Sequence, residues 1–142
     1  MTKTISPHTA LVYIMVTMSA VDRNMDDAEL SRMGRIVRHL PVFEGFNPEM
    51  MIPAAQQCAD ILEQEEGLEA ILGLVEDALP ESLFETAYAL AVEVAAANLE
   101  ITQEELRLLQ MLRRRFHLDK LVVAAIERGA NVRHRTLPGE AQ

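Results

Sequence analysis

The chain has 142 residues, of which 49% are hydrophobic and 4% aromatic, and this is the size and apolar content of one globular domain. With eight Met and no Trp, its core must be built from Ala, Leu, Val, Ile and Met, a composition that favours helices over sheets. The net charge of −9 argues against nucleic acid as a general partner.

Cysteine usage and the N-terminal sequence indicate the compartment. The one cysteine, Cys58, cannot form an internal disulfide and lies in an apolar stretch, which suits a reducing environment. The N-terminus lacks the pattern of a signal peptide, and the apolar run at residues 10–16 is too short to span a bilayer. We therefore expect a cytoplasmic protein.

Capping and breaking residues divide the chain into about seven predicted helices. Ser6 followed by Pro7 predicts the first helix start, Gly67 a break in the middle, and Asp119 the start of a last helix that stops at Gly129. The predicted helices cover residues 7–21, 27–40, 53–66, 68–78, 80–97, 102–116 and 120–129. The sequence therefore predicts a single all-α domain, a compact helical bundle with a flexible tail over residues 130–142.

The first two predicted helices align with the fifth and sixth at an offset of 76 residues. At this offset Ala20 aligns with Ala96, and Glu29 with Glu105. We interpret the alignment as an internal duplication of a helix pair, with halves at about residues 10–40 and 86–116. Each half should contain one buried helix followed by an amphipathic partner.

The turn inside each pair is rich in polar and acidic residues. In residues 22–29, Asp26 is the predicted N-cap and Glu29, three residues later, completes a capping box; in residues 98–105, Thr102 and Glu105 repeat the pattern. Capping alone explains these four residues without any ligand.

Asp22 motivates a second interpretation, because it lies at the negative end of the first helix, where an anion is disfavoured. A neighbouring arginine could compensate it, and so could a divalent cation, Ca²⁺ or Mg²⁺, bound weakly by oxygen ligands. The candidate metal ligands are Asp22, Asn24, Asp26, Glu29, Asn98, Glu100 and Glu105. An EF-hand is excluded, because its glycine position would be Asp27 and its final glutamate Met33.

Glu93 interrupts the otherwise apolar fifth helix and leaves two interpretations open. It lies either on a narrow solvent-facing strip or within reach of the acidic turns, where a buried acid would be paired or bound to metal.

The Ala-rich helix, the short polar turn and the glutamate after the cap resemble the TerB (tellurite-resistance) family. The family motif is similar to Ala-Asp-Gly-x-Ile-x-x-x-Glu, and residues 20–29 and 97–105 match it twice, with one extra residue at Val21. The chain differs from the motif where Arg23 and Leu99 replace its glycine, and Asn98 its aspartate. The resemblance covers about residues 10–116.

The resemblance implies an all-helical fold, an association with tellurite and stress resistance, and divalent-cation binding through the motif acids. No enzyme constellation accompanies it: the four histidines lack metal-ligand spacing, and the chain has no HExxH motif and no Gly-rich phosphate loop. We therefore expect a protein without catalytic activity. With a single cysteine, any role in metalloid resistance should be indirect.

The uneven charge distribution predicts a different kind of partner. Residues 40–106 contain no Lys or Arg and 15 acidic residues, whereas basic residues gather near the end of the chain. This pattern predicts salt-sensitive binding to a protein with a basic surface, with the acidic turns serving only as caps. Membrane association through the basic last helix is a weaker alternative.

Overall fold

The computed structural model of the protein describes residues 4–21, 25–97 and 101–139. Within these ranges the chain forms seven α-helices and no strand, which confirms the predicted all-α class. The helices are α1 (Pro7–Ala20), α2 (Asp27–His39), α3 (Met51–Leu62), α4 (Gly67–Ala78), α5 (Phe84–Ala96), α6 (Gln103–Arg115) and α7 (Lys120–Arg133). Short 3₁₀ turns at Pro41–Phe43, Pro48–Met50 and Glu81–Leu83 precede α3 and α5.

Helix α1 is the centre of the bundle. It begins as predicted, with the Ser6 hydroxyl accepting from the Thr9 amide at 3.1 Å and Pro7 in its first turn. Residues 10–19 are all buried, and the helix packs against α3, α4 and α5. A helix that is apolar nearly all round can be stable only in such a position, since every face must be removed from water.

Helix α5 is the second buried element and links α1 to the C-terminal half. It packs against α1 on one side and against α6 and α7 on the other. Seven of its residues are buried, among them Tyr88, whose large side chain is 0% exposed. The helices predicted to be buried are therefore the two that other helices surround.

The link between α3 and α4 is tight and depends on one glycine. Glu66 adopts a left-handed conformation with φ of 58°, and the amide of Gly67 donates to the carbonyl of Gln64 at 2.9 Å. A Cβ atom on Gly67 would lie 2.1 Å from the Ile61 carbonyl oxygen. The predicted break at Gly67 thus has a steric cause.

The boundaries of α2 and α6 correspond at the predicted offset. Gln103 and Arg115 each lie 76 residues after Asp27 and His39, which begin and end α2. Helices α1 and α5 end at Ala20 and Ala96, at the same offset. Superposition of the two pairs is the geometric test of a duplication, which remains a hypothesis.

The end of α7 differs from the prediction. The helix does not stop at Gly129 but continues to Arg133, and Ala130 is buried at 1% exposure. Glycine inside a helix costs about 1 kcal/mol relative to alanine. The packing of α7 on α5 offsets this cost, and residues 130–133 are therefore the last turn of α7.

Candidate functional site

The first acidic turn contains a complete capping box at the start of α2. The Glu29 amide donates to Asp26 Oδ1 at 2.8 Å, and the Asp26 amide donates to Glu29 Oε1 at 3.2 Å. The other carboxylate oxygen of Glu29 accepts from the Ser19 hydroxyl at 2.6 Å. Ser19 and Glu29 are 1% and 3% exposed, so this bond joins the end of α1 to α2 inside the protein.

The second turn repeats the arrangement at the start of α6. The Glu105 amide donates to Thr102 Oγ1 at 3.1 Å, and the Thr102 amide donates to Glu105 Oε1 at 2.9 Å. Glu105 is buried at 1% exposure. The predicted capping roles of Asp26, Glu29, Thr102 and Glu105 are all confirmed.

The candidate metal ligands fall into two groups. Asp26, Glu29 and Glu105 are the three that the structure describes, and all three are bound to backbone amides. The other four, Asp22, Asn24, Asn98 and Glu100, lie outside the described residues. Among the residues with described positions, no group of three or more His, Cys, Asp or Glu is arranged to hold a metal ion.

One cavity brings the flanks of the two turns together. Val21, which immediately precedes the first turn residues 22–24, lines a cavity of about 280 Å³ with Gln103 and Glu104, which begin α6. Arg107 also lines its polar side, and Leu68, Leu108 and Met111 line its apolar side. The C-terminal end of α1 and the N-terminal end of α6 therefore face the same space.

Glu93 points to the end of α7. Its carboxylate accepts from the Arg133 guanidinium and lies 2.6 Å from His134 Nε2. Burial opposes its ionisation, but the hydrogen bonds from Arg133 and His134 outweigh this effect, and the pKa of Glu93 is lowered. Its partners are therefore basic side chains of the C-terminal region.

A polar cluster that sequence reasoning missed joins α5, α6 and α7. The buried Tyr88 hydroxyl donates to Glu127 and accepts from Arg113 Nη1 at 2.9 Å. Burial, together with the bond to Glu127, raises the pKa of Tyr88 to about 12, although Arg113 opposes the shift. Its tyrosine, arginine and glutamate belong to three different helices, so no local spacing could reveal the cluster.

Cys58 is enclosed by α1. Its thiol is 0% exposed, lies 3.4 Å from the Thr17 hydroxyl and donates to the Tyr13 carbonyl at 3.8 Å. Burial raises the pKa of Cys58 to about 11, against a smaller opposing effect of the Thr17 hydrogen bond. A thiol that is protonated and enclosed is a poor nucleophile, so Cys58 functions as a core residue.

Comparison with known proteins identifies no relative of this chain. No protein-family model matches the sequence, and neither the curated proteins nor the solved structures show a significant similarity. None of the helices in the described ranges is long and apolar enough to cross a membrane.

Proposed function

We propose that this chain is a TerB-like module without catalytic activity that binds a divalent cation, Ca²⁺ or Mg²⁺, between its two acidic turns. The observation that supports this proposal is the shared cavity at the end of α1 and the start of α6, lined by Val21, Gln103 and Glu104. Because Val21 immediately precedes Asp22 in the sequence and Glu104 lines the cavity, acids from both segments can contribute ligands to the same ion.

The capping boxes narrow the ligand set. Both oxygens of Glu29 accept hydrogen bonds, and Glu105 holds the amide of Thr102, so these buried carboxylates serve the fold. Glu104, by contrast, is exposed and lines the shared cavity. We therefore propose Glu104 as a ligand and assign Glu29 and Glu105 to capping.

The remaining proposed ligands come from the turns themselves. Asp22 and Glu100 would supply carboxylate oxygens, and Asn24 and Asn98 amide oxygens. An all-oxygen set of this kind suits hard cations such as Ca²⁺ and Mg²⁺. A role in tellurite or stress resistance would be indirect, since the only thiol of the chain is the enclosed Cys58.

Melting temperatures measured with and without metal test the proposal. We expect millimolar Ca²⁺ or Mg²⁺ to raise the melting temperature of the EDTA-treated protein, because a ligand that binds only the folded state stabilises it. At ten times Kd the gain is about 1.4 kcal/mol, a shift of a few degrees. Asp22→Asn and Glu104→Gln should each abolish the rise.

Two matched variants control this experiment. Asp27→Asn removes the same charge from an exposed position in the first turn of α2 and should keep the response to metal. Asp26→Ser retains a good N-cap and should keep it as well. A parent protein whose melting temperature ignores both cations would overturn the proposal.

An acidic interaction surface is the second candidate. Asp60, Glu63, Glu65 and Glu66, around the end of α3, are exposed, and none forms an ion pair with another described residue. C-terminal basic side chains pair instead with Glu69, Glu76 and Glu93, which leaves these four available.

The salt dependence of binding tests this second candidate. With a basic model polypeptide such as polylysine, we expect the affinity to fall steeply between about 50 and 200 mM salt. The reason is that salt screens the attraction between the exposed carboxylates and the lysine side chains. Replacing Glu63, Glu65 and Glu66 together with glutamine should weaken binding several-fold. A triple variant that binds as tightly as the parent would exclude this surface.

A further inference from the structure

A groove on the C-terminal half of the molecule shares no lining residue with the cavity of the cation proposal. It lies between α5, α6 and α7 and has a volume of about 760 Å³. Its floor is apolar, formed by Val92, Ala95 and Ala96 of α5, Leu109 of α6 and Val123 of α7. Small-molecule sites in proteins have this size and this predominantly apolar lining.

Two large apolar side chains extend the floor at the α6 end. Ile101 and Leu106, which lie on either side of the N-cap of α6, both line the groove and remain 44% and 49% exposed. Their exposure beside an apolar floor makes one continuous surface on which an aliphatic chain can lose contact with water.

The rim of the groove carries Arg113, Glu127, His134 and Arg135, and of its basic side chains only Arg135 lacks an ion-pair partner among the described residues. Arg113 pairs with Glu127 at 3.3 Å, and His134 pairs with Glu93 at 2.6 Å. Arg135 has no carboxylate partner among the described residues, and its guanidinium donates to Asn131 Oδ1 at 3.2 Å. In a chain of net charge −9, this one guanidinium without a carboxylate partner favours an anionic head group.

We propose that the groove binds a small amphipathic carboxylate, with its aliphatic chain on the floor and its carboxylate on Arg135. A guanidinium can hold a carboxylate through two parallel hydrogen bonds, which fixes the orientation of the head group. Arg135 and the apolar floor line the same groove, so one molecule of moderate length can contact both. The ligand class is therefore that of medium-chain aliphatic acids.

Octanoate, at concentrations below micelle formation, is a suitable probe, with octanol as the match that lacks the charge. We expect octanoate to shift the amide resonances of groove residues on α5, α6 and α7 in heteronuclear NMR spectra. Its affinity, measured by calorimetry, should exceed that of octanol at least five-fold. A difference in affinity between the two head groups would show that the groove recognises the carboxylate, since nonspecific binding to an apolar surface would not distinguish them.

Two variants locate the site. Arg135→Gln should weaken octanoate at least five-fold, whereas Arg128→Gln, which removes the same charge from an exposed position on α7 outside the groove, should leave the affinity unchanged. Ala96→Leu fills the floor without altering charge and should block octanoate and octanol alike. Circular dichroism melts confirm that each variant is folded.

Three results would overturn the proposal. Equal affinities of octanoate and octanol would mean that the rim does not recognise the carboxylate. Equal losses in Arg135→Gln and Arg128→Gln would exclude Arg135 as the anchor. Groove resonances that do not shift with octanoate, whether or not light scattering shows a dimer, would mean that the groove is not a site for an aliphatic acid.

Discussion

Replacing Gly67 with alanine is expected to destabilise the fold by about 3 kcal/mol, the scale of strain in an overpacked site. The new Cβ would lie 2.1 Å from the Ile61 carbonyl oxygen and 2.8 Å from Leu62 Cα. These are backbone atoms of the last turn of α3, so they cannot move aside as a flexible side chain could. Relief of the clash requires α3 and α4 to separate, and both pack against α1.

Gly73→Ala is the matched control within the same helix. Gly73 lies in the interior of α4, and a Cβ there would meet no atom within 4 Å. Alanine in place of glycine in a helix should then stabilise the protein by about 0.5 to 1 kcal/mol. Urea unfolding followed by circular dichroism measures both changes, and equal effects of the two substitutions would contradict the steric argument.

The helices were predictable from the sequence because their start signals are local. Ser6, Asp26, Thr102 and Asp119 all cap the helices that they were predicted to cap. Each cap depends on residues two or three positions apart, a distance that a sequence displays directly. The buried position of α1 was predictable for the same reason, since its apolar residues leave no polar face.

The end of α7 was not predictable from such local signals. Gly129 is a common helix terminator, but Ala130 is buried in the bundle and Arg133 pairs with Glu93, 40 residues earlier in the chain. Contacts of this kind are decided by tertiary packing, which overrides the weak local preference of glycine. The direction in which Glu93 points depends on the same contacts.

The candidate site was predictable in part. Sequence spacing correctly gave the capping boxes around Glu29 and Glu105, but not the hydrogen bond between Ser19 and Glu29, because that bond depends on how α1 meets α2. It also missed the polar rim of the groove, whose residues come from α6 and α7 and from the segment that follows α7. Facing residues on separate helices leave no pattern along the chain.

Glu29→Ala and Glu105→Ala should each lower the free energy of unfolding by about 2 kcal/mol, in EDTA as well as with metal. Loss of the Glu29 carboxylate removes the acceptor of both the buried Ser19 hydroxyl and the Asp26 amide. Loss of the Glu105 carboxylate does the same to the Thr102 amide. The Ser19 hydroxyl is buried, so water cannot replace its lost bond, whereas the part-buried Asp26 and Thr102 amides each lose a capping bond.

Glu104→Ala distinguishes the effect of the buried capping bonds from the effect of a negative charge at the start of a helix. Glu104 adjoins Glu105 in the first turn of α6 and carries the same charge, but it is exposed. In EDTA its removal should therefore change the free energy of unfolding by no more than about 0.5 kcal/mol, as for most surface positions. Chemical denaturation of the three variants in parallel measures the difference. If Glu104→Ala were as destabilising as Glu105→Ala, the cost would come from the helix dipole, and the buried capping bonds would not be what stabilises the turn.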